Sequence, residues 1–301
     1  MNYLSVKEIA IKWNTSERSV RNYCATGRVP GAFLTGKTWN IPENAEKPAR
    51  SNKRNPVPQT LLEILQAEKR SQAHGGIYHK IQIELTYNSN YIEGSRLTHD
   101  QTRYIFETNT IGVAEDGICV DDIIETTTHF RCIDEIIENA KTTLSEKFIK
   151  HLHFILKTGT SDAKKDWFAV GNYKRLPNEV GGQETTLPEQ VAGEMKALLA
   201  QYNTKAEKTL EDILEFHVQL ERIHPFQDGN GRIGRLIMFK ECLKHNIVPF
   251  IIENNIKLFY YRGLKEWSRE RGYLRDTCLS AQDTFKQYLD YFRIPYNSEV
   301  S

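Results

Sequence analysis

The sequence has no run of about 20 apolar residues, so a membrane-spanning helix is not expected. It has no CxxC pair either. Its cysteines (Cys24, Cys119, Cys132, Cys242 and Cys278) are scattered and odd in number. That argues against a disulfide framework or a cysteine zinc site, and the expected setting is a reducing cytoplasm. The opening MNYLSVKEIAIKW interrupts its apolar pattern with Lys7, Glu8 and Lys12, which does not suit a secretory signal. No internal repeat stands out, and the chain as a whole carries little charge, +1 over 301 residues. That balance hides an asymmetry. Residues 1–60 hold ten Lys/Arg against four Glu, or +6, leaving −5 for the rest. A basic head on a mildly acidic body points to a polyanion as partner of the head.

Apolar periodicity beyond residue 60 is helical. Ile77, Ile81, Leu85 and Ile92 share one face, and Thr98 with Gln101 forms a capping box for the next helix. Ile123, Thr127, Phe130, Ile133 and Ile137 mark a longer helix. Pro188 suits the first turn of another. The one hairpin-like piece is RLPNEVGGQETTL, with Gly181-Gly182 available for its turn. Pro42, Pro48, Pro56 and Pro58 among Asn, Lys and Arg read as a linker. The expected organisation is therefore a small head at 1–46, a basic linker at 47–60 and a mainly α body at 61–301.

In the head, Ser5 and Glu8 form a capping box with Leu4 placed to staple onto Ile9. A second helix, ERSVRNYCA, stops at Gly27 and exposes Arg18, Arg21 and Asn22, side chains suited to phosphates and base edges. AFLTGKTWNI then reads as a hairpin with Lys37 at its tip. Two short helices and a basic hairpin resemble the winged helix-turn-helix of excisionase and MerR-type heads. The resemblance implies DNA binding, with Arg18, Arg21 and Asn22 in a major groove and Lys37 near a backbone. The other reading is a protein-docking module.

The densest chemistry lies at 224–235, HPFQDGNGRIGR. His224 before Pro225 is expected to be extended, exposed and able to act as a general base. Asp228 is a hard oxygen donor suited to Mg²⁺ beside substrate phosphates. Gly229 and Gly231 let backbone N–H groups approach an anion at a helix start, and Asn230 adds a donor. Arg232 and Arg235 fall one turn apart and can grip further phosphate oxygens. A base, a metal carboxylate, an anion cradle and two clamps describe a nucleotide phosphate attacked by a hydroxyl.

This stretch resembles the HPF-x-D/E-GNGR-x-x-R motif of Fic-domain proteins at every fixed position. The likeness implies a Fic-type helical bundle that moves AMP from ATP to a Ser, Thr or Tyr hydroxyl of a target protein, the chain itself being one candidate target. It implies His224 as base and Asp228 holding Mg²⁺. It further implies Gly229, Asn230 and Gly231 lining the anion hole, with Arg232 and Arg235 on the β- and γ-phosphates. The phosphotransferring Doc branch carries Lys where Gly231 stands, so adenylylation is favoured. No residue of the motif reads the base.

Upstream, NSNYIEGSR resembles the S/T-x-x-x-E-G/N inhibitory motif of Fic proteins, on a helix near 77–94. Ser89 and Glu93 fall on one helix face, and the resemblance implies that Glu93 pairs with Arg235 and blocks the γ-phosphate. In some relatives that Glu serves AMP removal instead. The hairpin resembles the family's target-binding flap, with strands expected near Lys174–Val180 and Gln183–Leu187. NNIKLFYYRGLKEWS resembles the helix that bounds the base, through Tyr260 and Tyr261, although Trp267 replaces an Asn common in relatives. Homodimers occur in the family. Three alternatives to a self-inhibited adenylyltransferase remain: a DNA-binding regulator with a nucleotide-sensing or self-modifying core, a Glu93-dependent AMP-removing hydrolase, and transfer of another phosphate-linked group.

Overall fold

The computed structural model describes residues 2–48, 60–112 and 117–296. The chain divides into two compact units, 1–57 and 58–301. Most of the expected linker, 49–59, lies outside the described residues.

In the first unit, strand β1 (Tyr3–Leu4) leads into α1 (Val6–Lys12), then α2 (Glu17–Ala25), β2 (Phe33–Thr35) and β3 (Thr38–Pro42). The Ser5–Glu8 capping box is formed in full, and Ser16 caps α2. The strands form an antiparallel sheet in the order β1-β3-β2, with Leu4 opposite Ile41 and Leu34 opposite Trp39. The short β1 was not foreseen. Ile9, Val20 and Ile41 are fully buried between helices and sheet, with Trp13 and Val29 around them.

The second unit is helical. It comprises α3 (Leu61–Ser71), α4 (Ile77–Ile92), α5 (His99–Thr108), α6 (Val120–Glu138), α7 (Glu146–Lys157) and α8 (Pro188–Tyr202). These are followed by α9 (Leu210–Ile223), α10 (Asn230–Lys244), α11 (Lys257–Glu266) and α12 (Gly272–Tyr291). Thr98 and Gln101 close the expected capping box on α5, and Pro188 opens α8. Between α7 and α8 lie β4 (Glu179–Val180) and β5 (Gln183–Glu184), joined through Gly181-Gly182, both at positive φ as a tight two-residue hairpin turn requires. The strands are far shorter than the expected Lys174–Val180 and Gln183–Leu187. The flanking residues are tied by side chains instead of a ladder.

Helix α10 is the axis of the bundle. Ile233, Leu236, Ile237, Met238 and Phe239 are buried, and so are Arg232, Arg235, Lys240 and Glu241. A helix enclosed on every side must bring partners for any charge it carries. Lys240 and Glu241 supply one another, with the Lys240 ammonium donating to the Ala140 and Thr142 carbonyls and Tyr202 donating to Glu241. Arg232 and Arg235, nearer the start of α10, draw partners from α4 and α6, and those partners build the site.

Candidate active site

Helix α9 ends at His224, which takes a left-handed conformation (φ 50°, ψ 62°) while its N–H still reaches the Leu220 carbonyl at 2.9 Å. The expected extended, solvent-facing His224 is thus corrected on both counts. Pro225 cannot continue the helix, so the chain turns at His224 itself, and the side chain is half-buried with Nδ1 enclosed. Nε2 is left as the nitrogen that can take a proton. Burial, followed by the nearby Lys174 cation, brings His224 down to about 4, against the opposing pull of the Glu221 carbonyl, Glu93 and Asp228. The imidazole is therefore neutral at neutral pH.

The turn from His224 to α10 is braced by Asn230. Phe226 N–H donates to Asn230 Oδ1 and Asn230 Nδ2 donates back to the Phe226 carbonyl, both at 2.8 Å. Asn230 is 2% exposed. Its side chain is a staple of the loop, where a free donor toward an anion was expected. Behind the loop His153 stacks on Phe226, ring centroids 4.0 Å apart and nearly parallel. His153 Nδ1 accepts from Gly171 N–H at 2.9 Å, which leaves Nε2–H to donate to the Asp228 carbonyl at 3.2 Å. Burial takes His153 to about 3, so this neutral tautomer persists.

Gly229 caps α10 at φ 85°, and Gly231 lies in the first turn. A methyl group on Gly231 would collide with Glu93 Oε1 and sit 2.9 Å from Arg235 Nη1. The Glu93 carboxylate therefore lies beside the first turn of α10, within reach of the positive end of its dipole. Arg235 holds it there. Its Nη2 donates to Glu93 Oε1 at 2.6 Å and to the Ser89 carbonyl at 3.0 Å, while Nε donates to Ser89 Oγ at 3.0 Å. Glu93, at the end of α4, meets Arg235 as the motif led one to expect, and Ser89 one turn earlier shares the same guanidinium, which was not foreseen. Burial pushes the Glu93 carboxyl upward, but Arg235 and then Arg232 outweigh it and hold it below the usual range. Glu221, buried nearby, is pushed up to about 7 by burial and by Glu93, so Glu93 is the carboxylate that stays ionised.

Arg232 faces a different set of acids. It pairs with Glu125 from α6, and its Nη2 reaches Asp228 Oδ2 at 3.1 Å. Lys157, at the end of α7 and 2% exposed, bridges the same two carboxylates, reaching Asp228 Oδ2 at 2.6 Å. Burial alone would raise Asp228; Arg232 and Lys157 instead drive it far below the usual carboxylate range. Among the described residues no group of three or more His, Cys, Asp and Glu is arranged to hold a metal. Asp228 still fits Mg²⁺ in the way that ion is usually held, by one carboxylate completed by substrate phosphates, because its side chain is 44% exposed and both cations use Oδ2. Glu125, Lys157 and His153 were missed in the sequence. The available signal was a charged residue on an otherwise apolar helix stripe.

Tyr260 and Tyr261 part company. Tyr260 is 1% exposed and hydrogen-bonded to His217 Nε2 at 2.6 Å, inside the core behind Arg235. Tyr261 is 41% exposed and tilts against the Tyr260 ring at the end of α4. Trp267 is also buried, donating to Glu215 at 2.9 Å. In the head, Arg18, Arg21 and Asn22 are exposed on α2 and Lys37 is exposed at the hairpin turn. Arg21 pairs with Glu17 at 2.8 Å.

Residues 143–242 match the Fic/DOC family. The matched segment runs from the start of α7 through α10 and includes the whole 224–235 motif. The chain is 26% identical over 243 residues to the protein adenylyltransferase Fic of Drosophila virilis, covering 74% of this chain and 48% of that protein. It is 30% identical over 183 residues to its Drosophila melanogaster counterpart, covering 60% and 36%. The chain thus spans about half the length, or less, of these relatives. Among solved structures it resembles a Fic domain containing signaling protein from Bacteroides thetaiotaomicron, with TM-score 0.58 and 25% identity over 76% of this chain and 90% of that one. It also shares its fold with Fic-1 from C. elegans, with TM-score 0.59 and 19% identity over 79% and 68%. No helix among the described residues is long and apolar enough to cross a membrane.

Proposed function

We propose that this chain transfers AMP from ATP to a Ser, Thr or Tyr hydroxyl of a protein, and that Glu93 restrains the transfer by occupying Arg235. The observation that carries this reading is the Glu93 carboxylate lying against Gly231 and on Arg235 at 2.6 Å, beside the first turn of α10. The Fic/DOC match and the adenylyltransferase relatives support the AMP-transfer part of this reading.

In this reading the acceptor oxygen attacks the α-phosphorus, and its proton passes to Nε2 of the neutral His224. The bond from that phosphorus to the bridging oxygen breaks, and pyrophosphate leaves. Backbone N–H groups at 229–231 and the α10 dipole steady the phosphate charge. Arg232, set by Glu125, and Arg235, once released by Glu93, grip the remaining phosphates. Asp228 would hold Mg²⁺, which when bound offsets phosphate charge. Acceptors are presented along the β4–β5 hairpin, and the chain itself is included among them.

The test uses ATP labelled at the α- or the γ-phosphate with the Glu93→Gly chain and Mg²⁺. Label entering protein from the α-phosphate alone, and lost with His224→Ala, is expected. Label from the γ-phosphate would make the chain a phosphotransferase and reverse the nucleotide.

We read the head as a DNA-binding module in the cytoplasm, on the exposed Arg18, Arg21 and Asn22 of α2 and on Lys37. Retardation of duplex DNA that weakens with salt and with Arg18→Ala is expected, and a head that shifts no duplex sinks this part.

A further inference from the structure

Lys174 stands where the flap's first strand was expected, but it forms no ladder. It is 3% exposed. Its ammonium donates to Asn178 Oδ1 at 2.7 Å, to Thr185 Oγ1 at 2.6 Å and to the Ile223 carbonyl at 3.4 Å, while its N–H donates to the Pro225 carbonyl at 2.8 Å. Asn178 precedes β4 and Thr185 follows β5, so one cation holds both feet of the hairpin. Ile223 and Pro225 flank His224. Asn178 Nδ2 adds a bond to the Phe226 carbonyl at 3.2 Å, and Leu176 N–H reaches Gln227 at 3.2 Å.

Two features say that this charge is used. Each hairpin strand has only two residues, too few to hold the hairpin alone. Among the described residues Lys174 has no ion-pair partner, and burial brings it down to about 8. A buried cation without a carboxylate in direct contact is costly even with Glu194 acting from further off, and an ammonium offers three donors to three separate oxygens from a small head.

We propose that Lys174 is a positioning residue for transfer: it fastens both feet of the hairpin to the main chain on either side of His224, and so keeps an acceptor strand in register with the base. This rests on the roles given above to the hairpin and His224. The groups facing His224 are Lys174, Glu93, Asp228 and the Glu221 carbonyl.

The test compares Glu93→Gly chains carrying Lys174→Met, Lys174→Arg or Thr185→Ala. Dephosphorylated casein, an extended hydroxyl-rich chain, serves as acceptor probe beside self-labelling. Lys174→Met is expected to lower kcat/KM for casein by about tenfold or more while ATP affinity holds within about twofold, the effect of displaced reactants and not of lost nucleotide. Thr185→Ala should fall between, and Lys174→Arg, which keeps the charge but not the compact head, should recover only part of the loss. Equal labelling by the Met and parent chains, or parallel losses in ATP affinity, would overturn the proposal. Should the parent chain itself label nothing, the AMP-transfer reading fails alone. Amide hydrogen exchange of the hairpin then decides: faster exchange at 178–185 in Lys174→Met than in the parent chain upholds the fastening, and unchanged exchange refutes it.

Discussion

Arg232 and Arg235 sit one turn apart on the same helix, both nearly inaccessible, yet they are held in opposite ways. Arg232 belongs to a network with Glu125, Asp228 and Lys157, and Lys157 reaches a further carboxylate, Asp162, at 3.6 Å. Among the described residues Arg235 has one ion-pair partner, Glu93, just past the last turn of a separate helix and with its side chain 27% exposed. The first arrangement has no single member that can leave without stranding charge. The second has a member at a helix end, before Gly94 at φ 99°, whose side chain is partly open to solvent. One guanidinium is held by several charges at once, and the other by a single carboxylate at a helix end.

The sharpest way to break that contrast is to neutralise each arginine. Arg232→Gln leaves Glu125 and Asp228 to share Lys157 as their remaining close cation and should cost about 3 kcal/mol in urea unfolding. Arg235→Gln, whose carboxylate partner can reach water, should cost clearly less. Equal losses would mean that the two sites do not differ in kind.

The next effect is kinetic. Glu93→Gly should raise AMP transfer by about tenfold or more, the effect of about 1.4 kcal/mol on the barrier, although it leaves the buried Arg235 without its carboxylate and so lowers unfolding stability. If activity stays flat in assays where ATP binds, Glu93 does not compete with phosphate.

Acid should separate the groups more gently. His224 titrates near 4 in the fold against 6.5 ordinarily, so the unfolded chain takes its proton first. Stability should fall as pH drops from 6.5 toward 4, and His153 and His217, both brought to about 3 by burial, act in the same direction. Glu93 is held below its ordinary 4.5, so its pairing is fully present above that value and is lost only as pH falls through the lower folded one. Melting curves should therefore show a first decline in both wild type and Glu93→Gly, with the later decline smaller in the variant. Identical curves below pH 4.5 would show that the pair adds no stability.

Local rules made much of the fold legible. Ser5 with Glu8, Thr98 with Gln101, and Pro188 at the start of α8 act within one helical turn, and each does what its spacing implies. The Glu93–Arg235 pairing was legible through the motifs on both sides. The hairpin was overextended because Lys174, Asn178 and Thr185 replace ladder bonds with side-chain bonds, which alternation in a sequence does not register. Glu125 and Lys157 were invisible for a related reason. A charge on an apolar stripe acquires meaning only when a third element, here α10, brings the opposite charge. His224 was misread because a proline after a residue restricts its backbone without selecting between extended and left-handed.

The most direct measurement is the initial rate of label transfer from α-labelled ATP by wild type, Glu93→Gly and Glu93→Gly with His224→Ala, at saturating Mg²⁺. The account predicts a low rate, a rate at least about tenfold higher, and then near-complete loss, since removing a general base costs about 100-fold or more. A wild type as fast as Glu93→Gly, or a double variant that still transfers, would contradict it.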